Sequence, residues 1–173
     1  MQTIDIPITA AMLAEADSKR LALRIARTRT SEIDTLTGAV GELAFAQWFL
    51  GDWQAFRLAR SAGREDFGNR IEVKASTFPF SPRLNLLVRE DYAEARRPQA
   101  YVQVIIDAPT REARAILPGW KARIAGWASA EDLDKAPLRN MGAKAGRSSD
   151  YRCRALPLAQ LRPMASFPVA RPL

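Results

Sequence analysis

The alternation of apolar and polar positions divides the chain into elements. The run Tyr101-Val-Gln-Val-Ile-Ile-Asp107 is the strongest strand signal, sending Tyr101, Gln103 and Ile105 to one sheet face and Val102, Val104 and Ile106 to the other. The run Ile71–Ser76 alternates in the same way but divides differently. Ile71, Val73 and Ala75 make an apolar face, whereas Glu72, Lys74 and Ser76 make a chemical one. Helical spacing governs the N-terminal part. Met12, Leu13, Ala16, Leu21, Leu23 and Ile25 predict a helix capped by Thr9 and running to about Arg27. Its last turns carry Lys19, Arg20, Arg24 and Arg27, which suit a helix C-terminus and a solvated face. Thr28 to Thr37 reads as a polar connection to a second helix. There Val40, Leu43, Ala44, Phe45, Ala46, Trp48, Phe49 and Leu50 are apolar nearly all round, the pattern of a buried helix.

The weaker signals fill in the remainder. Trp53 to Arg60 reads as a first strand, and Gly68-Asn69 as the turn of a hairpin leading into Ile71. Thr77-Phe-Pro-Phe-Ser-Pro82 leaves the strand because its prolines cannot donate to a ladder, and Leu84 to Val88 resumes the sheet. Arg89 to Arg96 reads as a short charged helix. Arg111 to Leu117 and Lys121 to Ala128 resemble strands around Pro118-Gly119. A short helix follows over Ser129 to Lys135, with Ser129 and Asp132 approximating a capping box. A last strand near Tyr151 to Leu156 precedes a tail broken by Pro163, Pro168 and Pro172. With 173 residues, 47% of them hydrophobic, the chain is expected to form one α/β domain over 1–173, a central mixed β-sheet flanked by helices.

The chemistry concentrates on the hairpin. An odd-numbered loop of Gly68, Asn69 and Arg70 sets Asp66 opposite Glu72, whereas a two-residue Gly-Asn turn sets Glu65 there instead. Either way two carboxylates converge beside Lys74. Carboxylates held that close repel unless a cation lies between them, and oxygen ligands suit Mg²⁺ or Mn²⁺. The chain has no histidine and a single cysteine, Cys153, which excludes an internal disulfide and argues against a zinc centre and Cys/His nucleophilic catalysis. Hydrolysis must then rely on carboxylate, lysine and metal, and the chemistry suggested is phosphodiester cleavage. Glu42 belongs to the same reasoning. On so apolar a helix an ionised carboxylate needs a partner, for which Lys74 or a metal would serve, while the alternative is a first-turn glutamate stabilised by the helix dipole.

Asp66 followed by Ile71-Glu72-Val73-Lys74-Ala75-Ser76, with Glu42 in Gly38-Ala-Val-Gly41-Glu42-Leu-Ala-Phe-Ala-Gln47 upstream, resembles the Asp…(Asp/Glu)-x-Lys signature of the PD-(D/E)xK, or restriction-endonuclease-like, nuclease superfamily. The resemblance covers about residues 36–107. It implies a restriction-endonuclease-like core in which Asp66 and Glu72 are metal ligands, the Val73 carbonyl is a further ligand and Lys74 assists the attacking water. Glu42 would complete the catalytic set. Five residues separate Asp66 from Glu72, fewer than in most members, and Glu65 stands where the signature has proline. Gln103 on the following strand would lie beside the site, and a homodimer is a further implication of the resemblance.

Charge agrees with a polyanionic partner. The formal net charge is +7, with a pI near 10.2, which favours a nucleic acid without choosing DNA over RNA; DNA is the expected partner, and Arg70 and the basic Lys144 and Arg147 in the glycine-rich segment 140–149 are candidate phosphate contacts. No apolar run reaches the roughly 20 residues needed to span a bilayer. Asp5 stands where a secretory leader would be basic, so no membrane association and a cytoplasmic location are expected. The expected function is therefore a divalent-metal-dependent DNA nuclease. An inactive nucleic-acid-binding or assembly protein on the same fold is the alternative, and a phosphohydrolase of small nucleotides a third class.

Overall fold

In the computed structural model the described residues are 2–24, 32–56, 67, 70–95, 97–141 and 152–170. Four strands form the central sheet: β1 (Ile4–Pro7), β2 (Ile71–Phe78), β4 (Ala100–Asp107) and β5 (Lys121–Ala128), in the order β1-β5-β4-β2. β2 runs parallel to β4, and the other two pairings are antiparallel, so the sheet is mixed. A second, antiparallel sheet has the order β3-β7-β6, from Asn85–Arg89, Arg152–Pro157 and Leu138–Asn140. Among the described residues four α-helices complete the fold: α1 (Ala10–Arg24), α2 (Glu32–Leu50), α3 (Glu90–Ala95) and α4 (Ala130–Lys135). The expected mixed α/β architecture, with a central mixed sheet flanked by helices, is what the chain forms.

Strand parity determines which layer covers which face. Ile71, Val73, Val102, Val104, Ile106 and Ile124 point into one core with Leu43, Ala44 and Phe45 of α2 and Met12 and Ala16 of α1. The opposite face carries Tyr101, packed with Leu86, Val88 and Leu133, and Ile105, packed with Leu158. The parity expected for β4 is thus realised with both faces covered. The tail docks rather than trailing away: the Trp127 N–H donates to the Arg162 carbonyl at 3.0 Å, and the Phe167 ring meets Phe45, Trp48 and Trp127 edge-on.

Several elements depart from the sequence pattern. Helix α2 begins at Glu32, so most of the expected polar connection is helical; its polar Thr37 is buried and shares a 2.8 Å hydrogen bond with Thr77 of β2. Trp53–Ala55 is a 3-10 turn capped by the Asp52 carboxylate, not the start of a strand, and the later part of that expected strand lies outside the described residues. Residues 111–117 form no strand, because β1 already occupies the free edge of β5. Asp5 secures that edge strand with ion pairs to Arg123 (3.0 Å) and Lys121 (3.3 Å). Residues 85–89 do form a strand, but in the second sheet rather than the central one, since Leu86 and Val88 pack against Tyr101 from across the layer. The helices expected after Thr9 and Ser129 are capped as read. The Met12 N–H donates to Thr9 Oγ1 at 3.1 Å, and Ser129 and Asp132 cap each other reciprocally.

Candidate active site

The site is fixed by how closely α2 approaches β2. A methyl group on Gly41 would overlap the Ala75 Cβ and lie 3.8 Å from the Val104 Cβ, so only glycine permits this contact. With Ala75 and Val73 held against the helix, parity turns Glu72, Lys74 and Ser76 to the other face. Glu72 is only 7% exposed there. Its Oε1 accepts a 2.5 Å bond from Lys74 Nζ, and its Oε2 is buried without a hydrogen-bond partner among the described residues. A carboxylate oxygen left in that state costs about 1–3 kcal/mol or more, and a cation would relieve it. The lone pairs of Oε2 are suited to a hard divalent ion.

Lys74 extends from Glu72 into a cleft of about 560 Å³ between the two sheets. Lys74, Ser76 and Gln103 line it from the central sheet, and Asn85, Leu87, Arg139 and Ala155 from the second sheet. Gln103 pairs in register with Lys74 and lies between Tyr101 and Ile105, which belong to separate apolar clusters, so it is the polar break between them. Its amide donates to the Val104 carbonyl at 2.9 Å and to Ser76 Oγ at 3.4 Å. A β-bulge makes room for this: pairing passes from Gln103↔Gly126 to Val104↔Ile124, and Gly126 adopts φ 146° against the Arg162 carbonyl. Gln103 thus faces the cleft with its donors engaged by its own sheet.

The other expected site residues fall as follows. Phe67 pairs with Ile71, exchanging bonds of 3.2 and 3.3 Å, which is the register of the odd-numbered loop. Asp66 and Glu65 lie outside the described residues, as do Lys144 and Arg147. Glu42 is 9% exposed, takes part in a polar interaction and sits in the middle of α2, not in its first turn. The helix-dipole explanation therefore fails for it, since that effect fades within the first turn. Val73 has its side chain in the core cluster of α2. Arg70 is exposed at the entry to β2, where its Nε donates to Gln99 Oε1 at 2.8 Å and its carbonyl accepts from the Ala100 N–H at 3.2 Å. It braces the start of the parallel strand pair. Among the described residues no group of three or more carboxylates, histidines or cysteines gathers to hold a metal, so the case for a cation there rests on Glu72 Oε2.

Two cations were not anticipated from the sequence. Arg83 follows β2, and Arg139 lies on β6; both line the cleft. Neither sits in a local motif, and only the packing of the second sheet over the first brings them near Lys74. Fold and site together define a mixed α/β protein with a carboxylate–lysine pair at the edge of a basic cleft. Comparison with protein-family models, with curated proteins and with solved structures yields no match.

Proposed function

We propose that this protein is a divalent-metal-dependent nuclease that hydrolyses DNA phosphodiester bonds. The observation that carries the reading is Glu72, whose Oε1 holds Lys74 while its buried Oε2 lacks a partner beside a basic cleft. A bound Mg²⁺ or Mn²⁺ would supply Lewis acidity at the scissile phosphate and a lowered pKa for the attacking water. Glu72 would hold that ion, with Asp66 and the Val73 carbonyl as the further ligands that the resemblance to PD-(D/E)xK nucleases implies. The Phe67↔Ile71 pairing supports Asp66 over Glu65, because its register is the one that sets position 66 against position 72. Lys74, oriented by Glu72, presents its ammonium to the cleft, where it can neutralise a phosphate oxygen or align the water. Glu42 would act from α2 on the orientation of this set.

A second reading is favoured by the same ion pair. Lys74 already balances the single negative charge of the Glu72 carboxylate, so the pair also suits a non-cleaving DNA-binding protein. Cleavage of labelled single-stranded, duplex and branched DNA with Mg²⁺, Mn²⁺ or EDTA separates the two. The nuclease reading expects metal-dependent cutting, reduced about 100-fold or more in Glu72→Gln and in Lys74→Ala while their folding persists. Binding without cutting under every condition would move the assignment to the binder.

A further inference from the structure

We infer that the cleft takes an unpaired nucleic-acid strand, with phosphates on Arg83 and Arg139 and a base against Phe78. The inference rests on the nuclease reading in one respect, that a strand lying there passes its backbone over Lys74.

Charge supplies the first argument. Lys74, Arg83 and Arg139 line the cleft, and among the described residues no Asp or Glu does. The Arg83 and Arg139 guanidinium groups have no partner among the described residues, as holds for Arg111 and Arg114 outside the cleft, whereas Arg89, Arg97, Arg123, Arg152 and Arg162 each pair with a carboxylate. A polyanion is the complement of such a surface.

Apolar exposure supplies the second. Among the described residues five large apolar side chains are exposed, and three of them, Phe78, Leu87 and Met141, border this one cleft. Phosphate recognition has no use for them. Bases within a duplex offer a protein only their edges, whereas unpaired bases offer a π-face to an aromatic ring. A cationic groove interleaved with such a ring is the arrangement that binds single strands. Size points the same way, because about 560 Å³ between two sheet walls matches a small ligand such as one or two nucleotides and not a double helix.

The test is fluorescence anisotropy in EDTA, where no cutting occurs. The probes are labelled oligothymidylate of about 12 nucleotides, its abasic analogue and a blunt duplex of equal length. The expected result is thymidylate bound about tenfold or more tighter than duplex at equal salt. Phe78→Ala should weaken thymidylate at least about fivefold and leave the abasic strand unchanged. Arg83→Ala and Arg139→Ala should each flatten the salt dependence of thymidylate binding by about 0.7 in log–log slope, while Arg111→Ala, outside the cleft, leaves it unaltered. Duplex bound as well as thymidylate, or a Phe78→Ala effect equal on both single strands, overturns the inference. The comparison of wild-type affinities needs no variant to fold. If no metal-dependent cleavage appears while thymidylate preference holds, only the nuclease reading falls; cleavage without that preference sinks only this one.

Discussion

Substituting Gly41 tests the contact on which the site geometry depends. In the interior of a helix Gly→Ala ordinarily gains about 1 kcal/mol. Gly38, on the same helix, has nothing within 4 Å of the position its Cβ would take, so Gly38→Ala should show roughly that gain. At Gly41 the new methyl would overlap the Ala75 Cβ, which is attached directly to the β2 backbone and cannot swing away. Carbon atoms pack at about 3.5–4.0 Å, so helix and strand would have to separate by roughly 1 Å. Overpacking of that kind costs about 1–3 kcal/mol, which offsets the propensity gain and leaves Gly41→Ala about 1 kcal/mol less stable than wild type. Urea unfolding followed by circular dichroism should give a lower midpoint at unchanged m-value for Gly41→Ala and a higher one for Gly38→Ala. Adding Ala75→Gly removes the colliding methyl, and the Gly41→Ala/Ala75→Gly cycle should show a coupling of about 1 kcal/mol or more. Equal stability of the two alanine variants, or a coupling near zero, would refute the close approach of α2 and with it the argument for which face Glu72 occupies.

In metal-free buffer, Lys74→Met should destabilise by about 2 kcal/mol or more by leaving the Glu72 carboxylate uncompensated, while Glu72→Met/Lys74→Met should be near neutral or stabilising; thermal unfolding of the three proteins measures this. Mn²⁺ at ten times its Kd should raise wild-type stability by about 1.4 kcal/mol and leave Glu72→Met unshifted, read by the same melts. Burial raises the pKa of Asp132, but the Arg162 guanidinium and the bonds from Ser129 outweigh it and hold the carboxyl below its usual value. A depressed folded pKa means that its contribution is present above about pH 4 and fades as the pH falls through the folded value. The deficit of Asp132→Asn, about 1 kcal/mol at pH 7, should therefore shrink toward pH 2, as paired urea titrations would show.

Legibility in the sequence followed the range of the interactions. Parity made β2 and β4 readable because each keeps one consistently apolar face against the helices. It also separated Glu72, Lys74 and Ser76 from Ile71, Val73 and Ala75. The Ser129 capping box was readable because donor and acceptor lie three residues apart. β1 was missed because four residues with one prolyl end carry almost no periodic signal; its position is set by pairing with β5 more than 110 residues away. The same long-range pairing removed the edge that residues 111–117 would have taken. The second sheet was illegible for a related reason. Leu84–Val88 reads as a strand from its own residues, yet which sheet it joins depends on Tyr101 and Leu156. Arg83 and Arg139 became part of the site only through that assignment.

Glu72 admits two physical explanations that make opposite demands on its second oxygen. A buried ionic pair retained for structural specificity is expected to have its lone pairs fully satisfied, since a half-satisfied polar group costs more than an apolar residue of the same shape. Gln103, one strand away, meets that standard for its amide donors, with bonds to Val104 and Ser76. Glu72 does not, because Lys74 engages Oε1 alone and no described residue gives Oε2 a hydrogen bond. On the face that Glu72 occupies, its register partner Tyr101 belongs to an apolar cluster while Lys74, Ser76 and Gln103 line the cleft, so position 72 stands between packed core and open cleft. A structural ion pair by itself leaves Oε2 unsatisfied, whereas the proposed cation would satisfy it, and under that proposal a phosphate would lie in the cleft into which Lys74 opens.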